Sequence, residues 1–162
     1  MAIEPTFTEA GTRKRFSSFL DMVEEKQIER LKMMGEMCVT HARSIAKEVG
    51  FEDQSGNLRS SIGYMLFKDG KPLLSEYEVV KGVNRKGKPM NGAEGALAGA
   101  ALAKKVGEET KGICLVVTAG MHYARWVEAK GRVVITSAEH MAKRELPKML
   151  KELTDSIRKA VS

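Results

Sequence analysis

Leu58-Arg59-Ser60-Ser61-Ile62-Gly63-Tyr64-Met65-Leu66-Phe67, followed by Lys68-Asp69-Gly70, is the stretch from which the rest of the chain can be placed. Leu58, Ser60, Ile62, Tyr64 and Leu66 alternate with Arg59, Ser61, Gly63, Met65 and Phe67, the period-two pattern of a strand. Asp69-Gly70 supplies the left-handed backbone that a tight hairpin turn needs. A strand over 58–67 and a return strand over 73–83 follow, with Tyr77, Val79 and Lys81 on one face of the return.

Upstream the period changes to that of a helix. Phe16, Phe19, Leu20, Val23, Gln27, Leu31, Met34, Cys38, His41, Ile45 and Val49 recur every three or four positions, which places them on one stripe of a helix over about 8–49. Thr8 and Thr12 are candidate caps, and Gly50 is a natural stop. Downstream, Asn84 to Asn91 is basic and broken by Gly and Pro, and reads as an exposed loop. Ala93 to Gly107 is rich in Gly and Ala and reads as an inserted helix or ordered loop. Gly95 and Gly99 fall on one face of it, where another backbone can come close. Ile113 to Thr118 is apolar throughout and predicts a third strand buried on both faces. His122 to Ala129 predicts a short helix or turn, and Val133 to Ile135 a fourth strand. Ser137 is the expected cap of a last helix over 137–161, with a kink or break at Pro147. Together these elements predict one α+β domain over 1–162, a small antiparallel sheet packed against a long N-terminal helix and a C-terminal helix.

The 162 residues are 43% apolar and 30% charged with four prolines, which excludes a disordered or collagen-like chain. No apolar run approaches the roughly 20 residues of a membrane span. The opening Met-Ala-Ile-Glu-Pro-Thr lacks the basic and apolar regions of a secretory signal. Net charge is +6. Arg85, Lys86 and Lys88, three cations in the 84–91 loop, are the candidate phosphate or partner contacts, although no aromatic side chain interleaves with them to stack on bases.

Catalytic patterns are sparse. Cys38 and His41 share a helical face but supply only two of the four ligands of a structural zinc site. Phosphate-loop, metalloprotease and calcium-loop motifs are absent from the sequence, so no metal, cofactor or enzymatic activity is expected. Glu128, beside Tyr123 and Trp126, reads either as an acid of perturbed pKa or as an anchor for its short helix, and no second carboxylate is placed to pair with it.

Two stretches carry a resemblance. Ser55-Gly56-Asn57-Leu58-Arg59-Ser60-Ser61-Ile62 follows the long helix. Tyr123-Ala124-Arg125-Trp126-Val127-Glu128 precedes a glycine, a short apolar run and the last helix. In this order they resemble the head–tail-joining, tail-completion (neck) proteins of long-tailed bacteriophages and prophages. Residues 84–107 read as an insertion relative to that pattern. The resemblance implies a non-enzymatic virion component, present in the host cytoplasm during assembly. It would act as a ring of identical copies between head connector and tail, with neighbouring neck and tail proteins as partners. The motif residues it singles out are Gly56, Leu58, Arg59, Ser61, Ile62, Tyr123, Ala124, Trp126, Val127 and Glu128. Their chemistry reads two ways, as core and turn residues of one chain or as an amphipathic corner suited to a subunit interface. The alternative is a small nucleic-acid-binding protein acting through the 84–91 loop.

Overall fold

A computed structural model describes residues 8–52 and 54–161; residues 1–7, 53 and 162, the opening hexapeptide among them, lie outside the described residues. The elements in order are α1 (Glu9–Ser44), α2 (Asn57–Ser60), β1 (Ile62–Lys68), β2 (Lys71–Glu76), β3 (Lys81–Val83), β4 (Pro89–Asn91), α3 (Ala93–Gly107), β5 (Ile113–Ala119), α4 (Ala124–Ala129) and α5 (Thr136–Val161). The fold is α+β, with a small antiparallel sheet beside a long N-terminal and a C-terminal helix.

The sheet has the order β2-β1-β5, both pairings antiparallel. At the β1–β2 turn Asp69 (φ 50°) and Gly70 (φ 76°) both take the left-handed conformation that the sequence requires there. Because β1 is central, six of its seven residues are buried and its two faces serve two layers. Tyr64 packs on α1 at Gly35, where an added Cβ would lie 2.5 Å from its ring. Phe67, of opposite parity, packs on α3 at Gly107, with Met65, Ala103 and Val116 beside it. So α1 lies on one face of the sheet and α3 on the other, and α5 packs along α1. The larger core, around Met34, Cys38, Phe51, Leu58, Ile62, Val134 and Ala138, lies on the α1 side.

Thr8 is the cap of α1, its hydroxyl accepting from Gly11 N–H at 3.2 Å. The helix has 36 residues and spans about 54 Å. Only its C-terminal half lies over the sheet. An ion pair between Glu24 and Lys68 marks the sheet's end, and residues 9–18 beyond it are exposed on every side.

Several expectations are corrected. The helix ends at Ser44 rather than Val49, because Ile45 turns extended (ψ 128°). Arg132 donates to the carbonyls of Lys47 and Glu48, and Val133 N–H donates to that of Val49, so tertiary bonds hold 46–50 as a separate turn. Val49, expected on the apolar stripe, is exposed. Residues 58–60 form a helical turn rather than the start of β1. Gly56 caps it in the left-handed conformation (φ 79°), and the serine hydroxyls bond to backbone instead of facing a strand. The return strand stops at Glu76. Tyr77 turns its hydroxyl to Thr118, Ser60 Oγ holds Val80, and 81–83 joins a separate two-stranded ribbon.

The 84–91 loop is accordingly a β3–β4 hairpin whose tip spans only 84–88. As an edge strand, β5 is half-buried, with only Val116 and Thr118 fully covered, rather than buried on both faces. Residues 133–135 form no strand, since their amides point at a side chain instead of a ladder. The last helix starts at Thr136, which leaves Ser137 inside the first turn rather than at the cap, and it runs through Pro147 without a break.

Candidate functional site: the junction of two motif segments

The two segments singled out in the sequence lie against each other. Gly56 can occupy its corner because a Cβ there would sit 2.1 Å from the Val80 carbonyl oxygen, and its φ of 79° excludes other residues on backbone grounds as well. The following turn buries Ser60 and Ser61 completely. Ser61 Oγ donates to the Leu58 carbonyl at 2.7 Å and accepts from Met121 N–H at 3.4 Å, while Gly120 N–H donates to the Ser61 carbonyl at 3.2 Å. The first segment is thereby sewn to the entry of the second. Leu58, Ile62 and Ala124 then share one buried cluster with Phe51, Val134 and Ala138.

Arg59 lies over the Phe51 ring, 5.6 Å from its centroid, and donates to the Arg43 carbonyl at 3.2 Å. Arg43, in the last turn of α1, is nearly buried. It donates to the Ile62 carbonyl and to the Glu78 carboxylate, both at 2.8 Å. Burial lowers its pKa from the ordinary value, and the Glu78 charge opposes that fall. No sequence signal marked Arg43 or Arg132 as ties, because their acceptors are carbonyls far along the chain.

In the second segment Tyr123 precedes α4 and Val127 follows one turn later, Val127 N–H bonding the Tyr123 carbonyl at 3.0 Å. Tyr123 and Val127 line an open cleft of about 640 Å³ with Leu58, Ser55, Phe51 and Arg132. Both segments therefore contribute to one surface. Trp126, on the outer side of α4, is 64% exposed, and the Lys130 ammonium stands 3.6 Å from its ring centroid.

Glu128, at the end of the second segment, ties α4 to the start of α5. Its Oε1 accepts from Val134 N–H (3.2 Å), Ile135 N–H (2.7 Å), Thr136 N–H (2.9 Å) and the Thr136 hydroxyl (2.8 Å). Those amides are the ones left open at the start of α5, where the helix dipole also favours a negative charge. Burial pushes the carboxyl pKa up, but the donors of Ile135, Thr136 and Val134 outweigh it and hold the pKa below the ordinary 4.5. Of the two roles open in the sequence, the anchoring one fits this geometry: a carboxyl kept ionised with its oxygen saturated is a poor general acid.

The hairpin cations are elsewhere. Arg85, Lys86 and Lys88 sit exposed at the β3–β4 tip, which Asn84 shapes by accepting from the Lys86 and Lys88 amides, each at 2.9 Å. Asn84 itself reaches the rim of the cleft. Cys38 is buried with its Sγ 3.9 Å from the Ala138 carbonyl, and burial raises its thiol pKa, the opposite of what a nucleophile needs. Among the described residues no three His, Cys, Asp or Glu side chains come together as metal ligands. No helix of the described residues is long and apolar enough to cross a membrane.

No family model, curated protein or solved structure matches the chain.

Proposed function

We infer that the chain is a non-enzymatic structural component of a tailed-phage virion, a neck or tail-completion adaptor that assembles as a ring between head connector and tail. The observation that carries this reading is the convergence of 55–62 and 123–128, the two stretches that resemble that family. They meet in one rigid junction that presents an exposed Trp126 instead of a reactive group. Two polar side chains of the junction are committed to backbone, Ser61 to Leu58 and Met121, and Glu128 to the start of α5. That is the construction of a scaffold. A large aromatic side chain left exposed on a stiff corner is the kind of residue that anchors protein interfaces.

The test is complementation. Phage or prophage particles lacking this gene should accumulate as filled heads and separate tails, and the wild-type gene should restore joining. Trp126→Ala should keep stability within about 0.5 kcal/mol, since the ring is largely solvated, yet fail to restore joining. Intact particles in the absence of the gene overturn the reading.

A second reading has one observation in its favour. The cationic hairpin tip adjoins a cleft whose rim carries Lys47 and Arg132 as well, an arrangement that suits a nucleic-acid backbone.

A further inference from the structure

Two helix faces carry large apolar side chains that none of the described residues cover. The first is the projecting arm of α1, where Phe16 is 63% and Leu20 49% exposed. They lie on the same stripe that buries Met34, Cys38 and Ala42 farther along, and the stripe simply continues past the end of the sheet. The second is the outer face of α3, where Leu97 is 72% exposed beside Ala101, while Gly95, Gly99 and Ala103 take up the inner face. Leu97 is thus a large apolar side chain left in solvent between charged neighbours, a point at which an apolar partner side chain can seat.

Their charge patterns match. Along the centre of the arm run Arg13, Phe16, Leu20 and Glu24; along the centre of the outer face of α3 run Glu94, Leu97, Ala101 and Lys105. The steps are three, four and four residues in both. Laid parallel, Arg13 meets Glu94, Phe16 meets Leu97, Leu20 meets Ala101 and Glu24 meets Lys105. Laid antiparallel in that register, Arg13 meets Lys105 and Glu24 meets Glu94, like against like. The charges thus select one orientation. Three of these charges already have partners that docking has to share: Arg13 pairs with Glu9 in an exposed contact, Glu94 accepts from Asn57 at 3.2 Å, and Glu24 holds Lys68 at the edge of the sheet.

We propose that the α1 arm of one copy docks, parallel and in this register, on the outer face of α3 of the next copy. In a single chain α1 and α3 lie on opposite faces of the sheet, so the arm takes the α3 of another molecule. Arm and acceptor are different surfaces, which makes the contact heterologous and able to propagate around a ring. The proposal rests on the ring reading above and names the contact that closes it.

The experiment uses the full chain in a Cys114→Ser background. Protein carrying Leu20→Cys is mixed with protein carrying Ala101→Cys and mildly oxidised; a disulfide-linked heterodimer is expected, and none when Ala101→Cys is replaced by Lys151→Cys on α5. In sedimentation, Arg13→Glu and Glu94→Arg should each weaken self-association at least about tenfold, and the double variant should recover it, all with unchanged helical circular dichroism. A heterodimer yield no higher than in the Lys151→Cys control, or charge variants that do not rescue each other, overturns the arm–α3 contact. A wild-type chain that stays monomeric at every concentration also overturns it. Either result leaves the adaptor reading to the complementation test, which scores tail joining and not self-association.

Discussion

Glu128 ties four donors across a gap of six to eight residues, and its protonation state therefore reports directly on the tie between α4 and the start of α5. In the folded chain its pKa lies below 4.5, so the unfolded chain takes up the proton first as pH falls. The stabilisation is then fully present above 4.5 and is lost as pH drops through the lower, folded value. Glu128→Ala should cost about 2 kcal/mol at neutral pH, with three amides and a hydroxyl left to water. Glu128→Gln keeps an acceptor but loses the charge at the helix start, and should cost about 1 kcal/mol. Thermal melts across pH check this: the gap between wild type and Glu128→Gln should be constant above 4.5 and close in acid. A gap independent of pH would remove the charge from the account. From sequence, Glu128 was legible as an unusual carboxylate beside two aromatic residues, but its donors were not. They are backbone amides of 134–136, in a run of Val-Val-Ile that reads as a strand because a strand and an extended cap share the same β-branched residues. Gly56 was legible only as a motif residue: its left-handed angle is shared by five of the 15 glycines, so residue type alone does not single it out.

At the scale of elements, α3 sets intrinsic propensity against packing. Gly95 and Gly99 each cost the helix about 1 kcal/mol relative to Ala. Their inner face meets backbone, however: a Cβ on Gly95 would lie 1.9 Å from the Asn57 carbonyl oxygen and one on Gly99 2.4 Å from that of Ser61. Backbone cannot swing aside as a side-chain tip can, so Gly95→Ala should destabilise by about 2 kcal/mol or more despite the better helix former. Chemical denaturation measures it, and a stabilised Gly95→Ala would mean that α3 does not seat on the 57–61 turn. The four-residue spacing of these glycines announced a close neighbour, and the structure supplies it. The alternation through β1 was equally readable, since a central strand under helices on both faces keeps its period whatever lies around it. The split of the return strand was not. Tyr77 leaves the sheet for Thr118 and Val80 for Ser60, bonds to residues 41 and 20 positions away, which local pattern does not encode.

Across the whole molecule the question is where the surplus of six positive charges acts. Residues 1–49 carry eight charges of each sign, and α1 itself seven cations against six anions, with three of those cations, Arg13, Lys14 and Arg15, on the arm beside Glu9. The surplus gathers elsewhere: seven cations against five anions in 50–90, and seven against four in 132–162, where Lys143 and Lys148 are already paired along α5 with Glu139 and Glu145. Within 50–90 the compact cationic group is the hairpin tip, Arg85, Lys86 and Lys88. If that tip grips a nucleic-acid backbone, each neutralised phosphate adds about −0.9 to the slope of log affinity against log salt, and three cations give about −3. Replacing all three by Ala would then bring the slope close to zero. An adaptor that uses the tip, if at all, against a protein neighbour gives a different outcome. Duplex binding at physiological salt should be weak, and the triple variant should change it little. Titration of a labelled duplex at several salt concentrations, wild type beside the triple variant, separates the two. A steep slope that the variant abolishes would move the function of this chain from its apolar faces to its hairpin.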